Sequence, residues 1–169
     1  MIGAIVGDIA GSRFEFCNLK SKKFVLLAAA DEVEWGPPSS FTDDTVMTLA
    51  IAQALTDWCK SGSSVYGELS LLAVRAMQDF GRRYPRAGYG GHFAQWISEA
   101  DPRPYNSWGN GAAMRVSACG RAIRRLAEVP RRRNRALGTR VFDDRQVAVV
   151  GEEMVKYSNS CARCAAREI

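Results

Sequence analysis

The chain's pattern predicts an all-α fold, on three observations. Apolar residues recur at the helical period in successive stretches, strand-like alternation is sparse, and clusters of Gly, Pro and Ser separate the stretches. A length of 169 residues fits one domain able to bury a real core. At 47% hydrophobic and 24% charged, the composition is that of an ordinary globular protein.

The chain opens with a helix. Ile2, Ile5, Val6 and Ile9 form one apolar stripe at helical spacing. Gly3, Gly7 and Gly11 recur every fourth residue beside it. Each costs about 1 kcal/mol against Ala in a helix interior, so close approach of another backbone is expected there. Asp8, Ser12 and Glu15 fall on a third stripe and face one way, an acidic face that makes a candidate site wall. Residues 17–40 read as a long irregular connection with one helical turn at most, ending in Pro37, Pro38, Ser39 and Ser40.

The next helix is expected from about Asp43 to Lys60, with Val46, Met47, Leu49, Ala50, Ala54 and Trp58 at helical spacing. Thr42 falls where an N-cap belongs, and Asp43 and Asp44 fall in the first turn. On their own these residues suit two readings. One is a capped helix whose acids answer the positive end of its dipole. The other is a hard-cation site, since a hydroxyl and two adjacent carboxylates offer three oxygens, about half an Mg²⁺ octahedron. After a turn at Ser61-Gly62-Ser63-Ser64, residues Val65, Leu69, Leu72, Ala73, Ala76 and Phe80 mark an amphipathic helix stopped near Pro85. A glycine loop from Arg86 to Gly91 leads to a short helix, His92 to Ala100, closed by Asp101-Pro-Arg-Pro104. His92 is the only histidine, which excludes any multi-histidine metal site. Then Gly109 and Gly111 expose backbone N–H groups before an Ala-rich helical start, an arrangement like an anion cradle. Ser107 and Asn110 add side-chain donors there, and Trp108 adds an aromatic face.

The net charge of +5 is unevenly placed. Residues 1–120 hold eleven Lys/Arg against twelve Asp/Glu, while residues 121–169 hold twelve against six, centred on Arg131-Arg132-Arg133. A nucleic-acid patch would need aromatics interleaved with those arginines, and there are none, so a solvated basic segment is the favoured reading. Five cysteines without framework spacing suit reduced thiols and a cytoplasmic setting. Cys161-x-x-Cys164 lacks the second pair a zinc site needs. No apolar run approaches the ~20 residues of a membrane span, and Met1 to Phe16 lacks the basic start of a signal peptide.

Three motifs in order, Gly7-Asp-x-x-Gly-x-x-x-Glu15, Thr42-Asp-Asp-Thr45-Val-Met-Thr-Leu and Ser107-x-Gly-Asn-Gly-Ala-Ala-Met-Arg115, resemble the ADP-ribosylglycohydrolase family, which includes the dinitrogenase reductase-activating glycohydrolases. The resemblance covers residues 1 to about 120. It implies an all-α, multi-helix fold and hydrolysis of an ADP-ribosyl glycosidic linkage, with ADP-ribose or an ADP-ribosylated protein as partner. It further implies a binuclear Mg²⁺ (or Mn²⁺) site in which Thr42, Asp43 and Asp44 match the first group of metal ligands. Glu15 matches an acidic residue beside the reacting ribose, and Glu15 and Asp43 are the catalytic candidates. Ser107, Trp108, Gly109, Asn110 and Gly111 match a loop that holds the ligand's diphosphate.

The departures shape the expectation. The family carries a second ligand group, Asp-x-Asp-Thr, near its C-terminus, and this chain has none; Asp143-Asp144 is followed by Arg145-Gln146. A helical domain over residues 1–120 is therefore expected, with residues 121–169 a basic, divergent extension of it and the family domain truncated at its C-terminus. The expected activity is metal-dependent ADP-ribosyl hydrolysis with little turnover. The alternatives are an impaired family member that only binds ADP-ribose, and a basic nucleic-acid-binding protein. Uncovered apolar faces would favour a homo-oligomer.

Overall fold

The structure is a computed structural model that describes residues 1–17, 20–33, 36–63, 65–105, 107 and 109–128. Trp108, the arginine cluster, Asp143-Asp144 and the Cys161-x-x-Cys164 pair lie outside the described residues. Every regular element within them is helical: α1 (Ile2–Gly11), α2 (Asp43–Ser61), α3 (Tyr66–Arg83), α4 (Gly91–Ser98) and α5 (Gly111–Glu128), with a 3₁₀ turn at Ser12–Phe14 after α1. The all-α expectation holds.

The core is built around α2. Its apolar residues were expected on one face; Val46, Met47, Ala50, Ile51, Ala54, Leu55 and Trp58 are all buried, against Leu69, Ala73 and Met77 of α3 and Ala118 and Cys119 of α5. Leu49, expected in the same stripe, is 37% exposed and stays outside the buried core. Local chemistry fixes both ends of α2. Thr42 caps it, its hydroxyl accepting from the Asp44 N–H at 3.3 Å, and Gly62 stops it in the left-handed conformation at φ +68°.

Helix α4 packs on α3 through a contact that leaves no room for a side chain on Gly81. A Cβ on Gly81 would lie 2.7–2.9 Å from the Ile97 side chain. The last carbonyls of α4 have no partner in their own helix, and α3 supplies donors to them. Gln78 Nε2 donates to the Trp96 and Glu99 carbonyls (3.2 and 2.8 Å), and Arg82 Nε donates to Ile97 (3.1 Å). That seating turns the aromatic side of α4 toward α5.

Helix α1 departs from its expected packing. Only Ala10 is buried in it; Ile2 is 80% exposed and Val6 is exposed. Nothing lies within 4 Å of a Cβ built on Gly3, Gly7 or Gly11, so the expected backbone approach at those glycines is not made among the described residues. The reason is the mode of attachment. Polar side chains, rather than an apolar seam, carry α1, as its site face shows below. The connection before α2 holds no helix among its described residues, and its Phe24-Val25-Leu26-Leu27 run is exposed.

Candidate functional site

Sequence places Asp8 and Thr42 thirty-four residues apart, and the fold joins them. The Thr42 N–H donates to Asp8 Oδ2 at 2.8 Å, the Thr42 hydroxyl to Oδ1 at 2.5 Å, and the Thr45 N–H to Oδ2 at 3.1 Å. One carboxylate on α1 thus accepts two backbone N–H groups at the start of α2, donors that a helix start leaves without partners. Ser12 adds a second link. Its hydroxyl donates to the Ile9 carbonyl (2.9 Å) and accepts from the Ser40 N–H (3.1 Å). The acidic stripe of α1 is therefore the face that meets α2.

With α1 so held, Glu15 comes to Asp43 and Asp44. All of these residues line a cleft of about 1110 Å³, together with Thr42, His92 and Phe93, the Ser107 and Gly109–Gly111 loop, and Arg115. Burial, then Asp44, then Glu15, and less strongly Asp8, push the Asp43 carboxyl up to about 6, against the backbone hydrogen bond that lowers it. Burial and Asp8 raise Asp44, while Arg115 opposes the rise. The Asp43 N–H is held by the Ala87 carbonyl at 2.7 Å.

The opposite wall is aromatic and cationic. Phe93 stacks on Trp96 with ring centroids 5.4 Å apart, and Tyr89 meets the Phe93 edge at 5.7 Å. Burial and the nearby Asp43 push the Tyr89 phenol up to about 12, so it stays protonated; its oxygen is shielded from solvent without a hydrogen-bond partner among the described residues. The guanidinium of Arg115 lies over Phe93 with Cζ 5.2 Å from the centroid. His92 is exposed, with its ring 6.1 Å from that of Tyr105, on the rim of the same cleft.

Of the residues expected to act, Glu15, Thr42, Asp43, Asp44, Ser107, Gly109, Asn110 and Gly111 all line this cleft, and Trp108 lies outside the described residues. Two of the glycines differ in use. The Gly109 N–H donates to Ser107 Oγ at 3.2 Å and a Cβ there would find room, whereas a Cβ on Gly111 would meet Arg115 at 2.8 Å. Sequence reasoning gave no role to Arg115, Tyr89 or the Phe93–Trp96 pair. The arginine's place one turn past the glycine loop is the one signal that could have found it.

The donor set is oxygen alone, the chemistry a hard cation takes. Among the described residues no three acidic, histidine or cysteine side chains converge on a single ion. Burial first, and then the neighbouring carboxylates, raise Asp43, and a cation would favour its charged form; the oxygens of Thr42, Asp43 and Asp44 suit a single, partly hydrated ion.

A family model described as ADP-ribosylglycohydrolase matches residues 1–149 of the chain. Neither the curated proteins nor the solved structures contain a match.

Proposed function

This chain belongs to the ADP-ribosylglycohydrolase family, and on that premise we propose that it hydrolyses an ADP-ribosyl glycosidic linkage, releasing ADP-ribose from a modified protein or small molecule with the help of Mg²⁺ or Mn²⁺. The observation that supports this reading best is the meeting, in one cleft, of the Asp8–Glu15 face, the Thr42-Asp43-Asp44 corner and the Ser107–Gly111 loop. We further propose that residues 121–149, which the family match reaches, belong to the same domain.

Thr42, Asp43 and Asp44 would hold the cation, which when bound supplies Lewis acidity and an anchor for the ribose hydroxyls. The chain's own groups do the rest. Breaking the bond at the anomeric carbon builds positive charge on the sugar, and Glu15 on the same wall stabilises it as a carboxylate. Asp43, at the same corner of the cleft, is placed to assist proton transfer at the reacting centre. The loop at the start of α5 offers N–H groups to the ligand's diphosphate.

A second reading, binding of ADP-ribose without turnover, is favoured by the lack of a three-residue acidic centre among the described residues. One assay separates the two. ADP-ribosylated arginine and serine peptides are incubated with the full chain in excess Mg²⁺, and free ADP-ribose is measured beside calorimetric binding of ADP-ribose. Release that Asp43→Asn abolishes supports hydrolysis. Binding without release supports the second reading, and neither binding nor release removes both.

A further inference from the structure

Large apolar side chains stand in water close to the acid end of the cleft. Phe16, the residue after Glu15, is 87% exposed, and Phe24, Val25, Leu26 and Leu27 are each half exposed or more. The run from Phe24 to Leu27 is tied down at three points. The Phe24 ring meets Phe14 edge to face, with centroids 5.0 Å apart. Buried Arg13 donates through Nη1 to the Val25 carbonyl at 3.4 Å. Buried Ala28 closes the run, its N–H donating to Ser39 Oγ at 3.1 Å and its carbonyl accepting from the Ser39 N–H at 2.9 Å. The fold thus holds these side chains outward, and apolar side chains clustered in water mark an interaction site.

Charge indicates what the patch meets. Lys20, Lys22 and Lys23 lead into it, all exposed, and none pairs with a carboxylate among the described residues. The Ser21 hydroxyl accepts from the Lys23 N–H at 3.1 Å and donates to the Lys23 carbonyl at 3.2 Å, which fixes their turn. The complement is an apolar surface edged with acids. Residues 121–169 of the chain itself match poorly, with twelve Lys/Arg against six Asp/Glu. An anionic lipid surface matches poorly too. It takes clusters of about four to eight basic residues, whereas Asp31 and Glu32 stand exposed just past this run. Position points to a protein. Arg13 and Phe14, which seat the patch, lie within two residues of Glu15 on the cleft wall.

We propose that Phe16 and residues 20–27 form a docking surface for the protein that carries the ADP-ribose, meeting an apolar, acid-edged patch beside its modified side chain. The proposal rests on the hydrolytic reading above and narrows the substrate to a folded protein. A glycosidic bond brought to Glu15 leaves its acceptor near Phe16, so docking there adds affinity without touching the reacting atoms.

The test uses two folded carrier proteins, each ADP-ribosylated on one surface arginine. One flanks that arginine with leucine and glutamate, the other with serine and lysine. ADP-ribose release by the full chain in excess Mg²⁺ is measured for each, with ADP-ribosyl-arginine as the small substrate. Calorimetry follows binding of each carrier, modified and unmodified, and of ADP-ribose. Wild type should prefer the leucine–glutamate carrier by about tenfold in KM, or in Kd where only binding is seen. Lys20→Glu, Lys22→Glu and Lys23→Glu together, or Leu26→Ser and Leu27→Ser together, should erase that preference. Both sets should leave kcat unchanged and the small substrate within about twofold of wild type. All five positions are exposed, so circular dichroism should show a native fold. Equal handling of the carriers by wild type would overturn the proposal, as would both variants keeping the preference. Phosphatidylserine vesicle binding, or self-association by light scattering, that these substitutions abolish while the carriers are treated alike would assign the patch to a membrane or a second copy, and overturn it too. A chain that neither binds nor releases ADP-ribose, yet still prefers the unmodified leucine–glutamate carrier, would sink the proposed function and leave the docking surface standing.

Discussion

Asp8→Ala removes three hydrogen bonds at once, from the Thr42 and Thr45 N–H groups and the Thr42 hydroxyl. A bond to a charged acceptor is worth about 1.5–3 kcal/mol, and such terms do not add fully within one cluster. Relief of repulsion at Asp43 and Asp44, both of which Asp8 raises, opposes the loss. A net cost of about 3 kcal/mol follows, or roughly 6–12 °C in melting temperature for a domain of this size. Asp8→Asn separates stability from chemistry. Its amide oxygen can keep the two N–H donors while its NH₂ turns to the Thr42 hydroxyl, which must then accept instead of donate. Stability should fall by only about 1 kcal/mol. The Thr42 oxygen, with a lone pair consumed and its proton released toward the cleft, should bind a divalent cation more weakly. Thermal melts in EDTA and Mn²⁺ titration followed by electron paramagnetic resonance read the two effects. An Asp8→Ala protein melting within 1–2 °C of wild type would refute the three-bond clamp as the attachment of α1.

Other expectations follow from the same geometry. Because the folded Asp43 carboxyl titrates near 6, above its ordinary 3.8, its proton is held more tightly in the folded state. Stability from this group is therefore full below about pH 4 and lost as pH rises through 6. Asp43→Asn should accordingly stabilise the metal-free protein at pH 7, with the gain vanishing toward pH 4 in melts taken across that range; a pH-independent difference would count against the carboxylate crowding. Gly109→Val, whose Cβ would meet Ser107 Oγ at an ordinary 3.5 Å, should fold normally yet block ADP-ribose binding, whereas Glu15→Gln should bind and fail to turn over; calorimetry and the release assay report each. Trp58→Ala should cost about 3–5 kcal/mol by denaturant titration, while Ile2→Ser on the exposed stripe of α1 should stay within ~0.5 kcal/mol. Gly81→Ala should destabilise through its clash with Ile97, and an unchanged melting temperature would show that α4 can move aside.

By itself the sequence determined the elements that short-range forces decide. The Thr42 cap, the buried face of α2, the Gly62 stop and the glycine start of α5 each depend on residues within a turn or two, so periodicity and cap chemistry expose them. The three motifs also named the members of the cleft, because residue type limits chemistry before folding does. Only the tertiary structure decided how those members meet. Asp8 reads as one acid of a wet stripe until the fold sets it against Thr42, thirty-four residues on. The Gly3-Gly7-Gly11 spacing suggests a helix contact that the described residues do not make, whereas Gly81, unremarkable in sequence, makes one. Arg115 looks like any helical arginine until Met77 and Phe93, from two other helices, close around it. The physical reason is the same in each case. Local pattern records the conformation a segment prefers, while burial, shared charge and orphaned donors belong to the space between segments and exist only once the helices have packed.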